Sequence, residues 1–282
     1  MQLYIDSSDI DEISDILSSG MSSGVTTNPS LLKNALEKHK VDNLEQYIKA
    51  ILKLIGKETK ISLQVSGRDP SADAMIKEGR KLWDKFSRIN NNAVIKIPVN
   101  PSCDEKSEYF GHGLRAIRVL SSEDVPVNVT VIERVEQAVL AAYAGARYVS
   151  PFVGRIDDFI RANLGVKFEK GDYFSANGVS INGVLVDDCY GNHSGLHLLE
   201  RIIDEFDKRG LFGNTKILAA SVRNIEQVKE IWKLGPDITT LPYHVFKEYM
   251  GEIRKMLEHP KTWEGARKFR DDVPEEYSRL LE

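Results

Sequence analysis

Short runs of β-branched residues recur along this chain, each followed by a stretch with helical periodicity, and that alternation constrains the fold more than any other feature. Strands are expected over Gln2–Asp6, Gly24–Thr27, Lys60–Val65 and Val94–Pro98, then over Val127–Val131, Arg147–Phe152, Thr215–Ser221 and Asp237–Leu241. Several are apolar without alternation, as in strands covered on both faces. Helical patterns fall between them, over Ser30–Ile55 (one helix or two), Ser71–Ile89, Glu133–Ala144 and Ile225–Leu234. Asn28-Pro29-Ser30 and Asp69-Pro70-Ser71 carry helix-start chemistry, with a proline beside a small polar residue. Gly145 sits where a helix C-terminal cap belongs. No glycine-rich dinucleotide or P-loop fingerprint follows the first strand, which disfavours a doubly wound open sheet. The expected class is therefore α/β, a single (β/α)8 TIM barrel spanning residues 1–282.

Two connections exceed what a barrel needs, Asn100–Gly113 after the fourth strand and Ile156–Ser194 after the sixth. Both follow strand C-termini, the face on which such barrels carry their sites. Tyr173, Phe174 and Tyr190 in the second suggest an ordered lid or subsite wall. The C-terminal segment, about 243–282, is expected to be helical and either to cover its own barrel or to reach a neighbouring subunit.

Composition matters for what it excludes. The chain is 41% hydrophobic and 28% charged, with a formal charge of −4, so it carries no electrostatic footprint for nucleic acid or an anionic membrane. Cys103 and Cys189 have no metal-ligand spacing and form no secreted disulfide framework. The N-terminus lacks a basic or apolar targeting region, and no apolar stretch is long enough to span a bilayer. A soluble cytoplasmic protein is the expectation.

In Val94-Ile95-Lys96-Ile97-Pro98 the lysine shares one face with Val94 and Pro98, while Ile95 and Ile97 take the other. Whichever face is interior, Lys96 is surrounded by apolar groups, and burying an ammonium is costly. Desolvation favours the neutral amine, the form that attacks a ketone to make a Schiff base. A structural lysine would instead snorkel to the mouth or pair with a core carboxylate. The strand alone leaves both readings open. Asp6, Asn28, Gln64, Asn128, Thr130 and Ser150 all fall near strand C-termini that converge on one mouth; for any one of them a helix cap or a satisfied loop hydrogen bond is the commoner explanation, and Asn28 and Ser221 in particular suit caps. Arg155, Ser221 and Arg223 follow the sixth and seventh strands, where barrels bind anions. Pairing of these arginines with Asp157 or Asp158 is the plainer alternative.

The stretches YIDSSDIDEI, GVTTNPSLL, VIKIPV, VNVTVI, AGARYVSPFVGRIDD and KILAASVRN span most of the chain in order. Together they resemble the transaldolases and fructose-6-phosphate aldolases. The resemblance implies Lys96 as the Schiff-base lysine and Asp6 as the carboxylate that deprotonates a substrate hydroxyl. It implies Thr27, Asn28, Asn128, Ser150 and Phe152 around the dihydroxyacetone portion, and Thr130 holding a water. Arg155, Ser221 and Arg223 would bind the distal phosphate. No metal or organic cofactor is implied, and sugar phosphates are the implied partners, with a homo-oligomer expected. Transaldolases carry glutamate where this chain has Gln64, and the aldolases pair glutamine there with a tyrosine where this chain has Phe152. The chain is thus aldolase-like at one position and transaldolase-like at the other, leaving Asp6 as the titrating candidate for proton transfer.

The segment beginning IDDFIRANLG resembles the longer connection of larger transaldolases, whereas Asn100–Gly113 has no counterpart, and its His112 reads as solvated rather than substrate-facing. The leading expectation is transfer of a dihydroxyacetone unit from a ketose phosphate to an aldose phosphate, in the pentose phosphate pathway. The alternatives are a lyase releasing dihydroxyacetone, the same chemistry on another anionic sugar, and a sugar-phosphate binding protein.

Overall fold

The computed structural model describes residues 1–102 and 108–281. Eight parallel strands close into a barrel: β1 (Gln2–Asp6), β2 (Gly24–Thr26), β3 (Lys60–Gln64), β4 (Ala93–Pro98), β5 (Val127–Ile132), β6 (Tyr148–Pro151), β9 (Lys216–Ala219) and β10 (Ile238–Pro242). Strand and helix alternate around it as the sequence pattern requires. The expected strands agree with these to within two residues at each end. The pattern over 30–55 is two helices, α2 (Pro29–Lys38) and α3 (Leu44–Ile55).

The local start and stop signals act as their chemistry dictates. Asn28 caps α2, its Oδ1 accepting from Leu31 N at 3.0 Å. Ser71 caps α4 (Ala72–Asn90), with Asp69 Oδ1 in turn accepting from Ser71 N at 2.9 Å. Gly145 takes φ +97 after α6 (Val135–Tyr143). Ala146 N then donates back to Ala141 O at 3.1 Å, which closes the helix end.

Alternation along the strands divides the core in two. Ile5, Ile95, Ile97, Val129, Val149 and Ile217 point outward and are fully buried beneath the helices. Tyr4, Val94, Tyr148, Leu218 and Ile238 form a separate apolar cluster inside the barrel. Gly24 of β2 leaves room for it: a Cβ there would lie 2.3 Å from the Tyr4 ring. In β5 the pairing with β6 slips between Val129 and Ile132, and Val131 takes φ +60, a bulge of the kind found beside barrel sites. For a β-branched residue that conformation costs about 1–2 kcal/mol.

The connection expected over Ile156–Ser194 is shorter than the sequence suggested. Its first part is helix α7 (Val153–Asn163), in which Val153, Ile156 and Ile160 recur at helical spacing and are buried. The remainder holds a small antiparallel hairpin, β7 (Ser180–Ile181) with β8 (Val184–Leu185), before α8 (Gly195–Lys208). This segment is tied down at several points. Asp157 is buried, and its carboxylate accepts from Phe174 N at 3.1 Å and Gly195 N at 2.8 Å. Burial nevertheless pushes the Asp157 pKa up to about 6, against the effect of those two bonds and of Arg161. The Arg161 guanidinium lies 4.2 Å from the Phe174 ring centroid, and Tyr173 donates to Glu230 at 2.8 Å. Tyr190 lies under the Arg134 guanidinium.

The Asn100–Gly113 connection falls partly outside the described residues, as does Cys103. His112 opens α5 (His112–Ser122), and its Nδ1 accepts from Ala72 N at 3.1 Å, so it braces the start of α4 rather than standing in solvent. At the other end of the chain, α10 (Tyr243–Leu257) buries Val245, Phe246 and Tyr249. The helices α11 (Pro260–Asp271) and α12 (Glu275–Leu281) follow, and α11 buries no residue. Trp263, Phe269, Tyr277 and Leu280 are exposed. Among the described residues, no helix is long and apolar enough to cross a membrane.

Candidate active site

β4 is apolar through Ile95 and Ile97, which the helices cover, and this turns Lys96 into the barrel directly above Val94. The inward face is thereby settled. Lys96 is only 5% exposed, and its Nζ donates to the Thr27 carbonyl at 3.3 Å. Burial lowers its pKa below the ordinary lysine value. The Asp6 carboxylate opposes the shift and the Arg155 cation adds to it.

Asp6 ends β1 and pairs in register with Thr26, whose hydroxyl lies 2.7 Å from Asp6 Oδ1 and 2.6 Å from Thr240 Oγ1. Burial raises the Asp6 pKa, while Lys96 and the Thr26 hydroxyl pull it down. Low dielectric disfavours both charged forms, so the amine and the carboxyl are each biased toward neutrality. Such an amine is a nucleophile at a pH where a solvated lysine is protonated, and such a carboxylate is a stronger base than a solvated one.

On the opposite side of Lys96 the register places Asn128 of β5, fully buried. Its two polar ends are assigned by their partners: Oδ1 accepts from Ser150 Oγ at 2.7 Å, and Nδ2 donates to Ser62 Oγ at 3.1 Å. This buried relay holds Asn128 and Ser150 in fixed orientations next to the amine. Thr130 Oγ1 is buried and has no hydrogen-bond partner among the described residues. Thr27 turns its hydroxyl to the Ser62 carbonyl at 2.7 Å, so it meets Lys96 through its backbone oxygen alone.

Lys96, Asp6, Thr26, Asn28, Ser150 and Thr240 line a cavity of about 120 Å³, closed on its other side by Phe152, Arg155, Leu218, Ala220 and Ser221. Asn28 is thus both a helix cap and a wall of the cavity. Larger grooves, each about 660 Å³, lie on the outer surface and contain neither Lys96 nor Asp6. Gln64 is the neighbour of Lys96 in register, yet it borders an apolar groove with Leu32, Leu36 and Leu82 rather than this cavity.

The anion cluster is only partly assembled at the cavity. Arg155 is exposed at the mouth, with its guanidinium 5.2 Å from the Phe152 ring centroid. Ser221 is not a cap, a role that Asn224 fills for α9 (Ile225–Leu234). It sits at φ +64 in the turn after β9, and its carbonyl accepts from Gly154 N at 3.1 Å. Arg223 is not part of the cavity wall, and its Nη2 is bound to the Asp158 carboxylate.

Thr26, Ser62 and Thr240 were not singled out from the sequence. The available signal was period-two spacing: each stands on the inward face of its strand, and Ser62 is two residues before Gln64. Glu133, just past β5, was also missed. It is half-buried, its pKa raised by burial and by Asp188 and lowered by Arg155.

An eight-stranded barrel with one inward lysine near its mouth limits the candidates, and the comparison with known families decides among them. The sequence model of one family, described as Transaldolase/Fructose-6-phosphate aldolase, matches residues 3–278. The chain belongs to the transaldolase/fructose-6-phosphate aldolase family. A protein of Agathobacter rectalis described as a "Probable transaldolase" is 33% identical over 272 residues, covering 96% of this chain and 97% of its own. Proteins of Desulfatibacillum aliphaticivorans and Thermus thermophilus carry the same description, at 35% and 33% identity, each over 96% of this chain and 97% of theirs. Membership in the transaldolase/aldolase family makes this an enzyme of aldolase-type transfer.

Proposed function

We propose that the protein is a cytoplasmic transaldolase that moves a dihydroxyacetone unit from a ketose phosphate to an aldose phosphate through a Schiff base on Lys96. The observation that carries this is the burial of Lys96 beside Asp6 in a polar cavity at the barrel mouth, with its pKa lowered by that burial.

Neutral Lys96 Nζ attacks the ketose carbonyl carbon, and loss of water gives the iminium. The bond between the third and fourth carbons then breaks. Its electron pair moves into the iminium to give an enamine, and Asp6 takes the proton of the departing aldose hydroxyl. The enamine attacks the aldehyde carbon of the acceptor while Asp6 returns that proton, and water releases the new ketose. Asn128 and Ser150 hold the hydroxyls of the three-carbon unit, Asn28 and Phe152 bound it, and the Thr130 hydroxyl orients water. Arg155, Ser221 and Arg223 take the distal phosphate.

Glutamine rather than glutamate at position 64 favours a second reading, a lyase that releases dihydroxyacetone, since an amide does not titrate. Borohydride reduction in the presence of fructose 6-phosphate, followed by intact-mass measurement, should leave one dihydroxyacetone-sized adduct mapping to Lys96. Prior addition of erythrose 4-phosphate should discharge it if transfer is the activity. Spontaneous loss without acceptor would favour the lyase, and no adduct with any ketose phosphate would overturn the Lys96 assignment.

A homo-oligomer is part of the same proposal. The exposed Trp263, Phe269, Tyr277 and Leu280 are apolar surface that a second copy of the chain would cover. Removing residues 258–282 should lower the mass measured by light scattering to that of a smaller assembly. An unchanged mass would remove this segment from the interface.

A further inference from the structure

We propose that Asp158, acting with Gly154, is the positioning residue of the anion subsite, holding Arg223 in place before any anion arrives; this rests on the reading of Arg155, Ser221 and Arg223 as that subsite. Three fixed groups converge on Arg223. Its backbone N donates to Oε1 of the buried Gln227 at 2.8 Å. Its Nη2 is bound to Asp158 on α7. Its Nε lies against Gly154, where a Cβ would come within 2.2 Å of Nε and 2.3 Å of the Ser221 carbonyl oxygen.

The arrangement leaves a specific donor unused. Nε is shielded from solvent and has no hydrogen-bond partner among the described residues, although it belongs to the same planar fork whose Nη2 is satisfied. Leaving a buried donor unpaired is unfavourable, and an anion accepting from it removes that cost. The Arg223 side chain is 14% exposed and that of Asp158 34%, so the pair lies at the edge of solvent with the arginine the more enclosed partner.

The two carboxylates of the Asp157-Asp158 pair therefore divide their work. Asp157 faces inward and fixes the backbone at Phe174 and Gly195. Asp158, one residue on, faces the turn after β9 and fixes a side chain. Without Asp158 the arginine side chain regains its rotamer freedom, and anion binding must then bear the entropy of ordering it.

Calorimetric titration of the full-length protein with inorganic phosphate tests this. Asp158→Asn should weaken phosphate binding about tenfold, the scale of one charge-assisted hydrogen bond, and Asp158→Glu should recover part of the loss. In an Arg223→Ala background the Asp158→Asn change should cost nothing further, because its effect travels through Arg223. Additive losses in that double variant, or a phosphate affinity unchanged or tighter in Asp158→Asn, would overturn the proposal. So would a wild-type protein that binds no phosphate. Thermal melts of each variant separate a folding defect from a binding one. The titration needs no covalent chemistry, so its outcome is independent of whether Lys96 traps a ketose.

Discussion

Lys96→Met is expected to abolish borohydride trapping and to lower turnover by about a thousandfold or more, since a Schiff-base enzyme without its amine has no covalent path. The same variant should melt at a higher temperature than wild type. The Lys96 pKa is lowered in the folded protein, so at any pH between its folded and unfolded values the unfolded chain binds more protons. Stability therefore rises with pH across that window, and below it the full desolvation cost is carried. Methionine fills similar volume without a charge, and removing it from beside Asp6 leaves a carboxyl already biased toward its neutral form. A gain of about 1–3 kcal/mol at neutral pH is the expected scale, by analogy with buried charges exchanged for apolar groups. The wild-type advantage on raising pH should also disappear in the variant. A variant that loses both activity and stability would make Lys96 a structural residue.

Gly195→Ala should be among the most destabilising single changes in the protein. Gly195 is buried at the first position of α8, where the inserted segment rejoins the barrel. A Cβ there would sit 1.7 Å from the Val153 carbonyl oxygen, which belongs to backbone and cannot rotate away. Either α8 or the start of α7 must move, and movement breaks the 2.8 Å bond from Gly195 N to Asp157. Overpacking contributes about 1–3 kcal/mol and loss of a bond to a buried carboxylate a further ~1–3 kcal/mol. The sum is a large fraction of the ~5–15 kcal/mol that holds a domain folded. A drop in melting temperature of roughly 10 °C is expected by calorimetry. A shift under two degrees would mean that α8 slides without cost and that the Asp157 contacts are not a clamp.

The barrel was legible because its signals are local. Strand patterns, the caps at Asn28 and Ser71, and the glycine at 145 each act over a few residues. Lys96 stood out for the same reason, as a charge inside an apolar run, although only the closed barrel decided which face was interior. The parts that were not legible depend on pairings between distant segments. Arg223 meets Asp158 across 65 residues, a pairing that the sequence offers for either arginine without saying which one takes it. Gln64 adjoins Lys96 in register but borders another groove, a difference that strand periodicity cannot express. The α7 helix is hard to see in the sequence because its stripe of Val153, Ile156 and Ile160 is short and runs straight into a glycine-containing stretch.

The apolar floor of the barrel has a kinetic consequence. Tyr4, Val94, Tyr148, Leu218 and Ile238 are at most 7% exposed and close the interior beneath Lys96. Whatever reaches the amine must come and go through the same opening. Under the proposed chemistry, the aldose released from the donor and the aldose that accepts the three-carbon unit then compete for one passage. The first must leave before the second enters. Initial-rate measurements at several fixed acceptor concentrations should give parallel double-reciprocal lines, the signature of two half-reactions that share a single doorway.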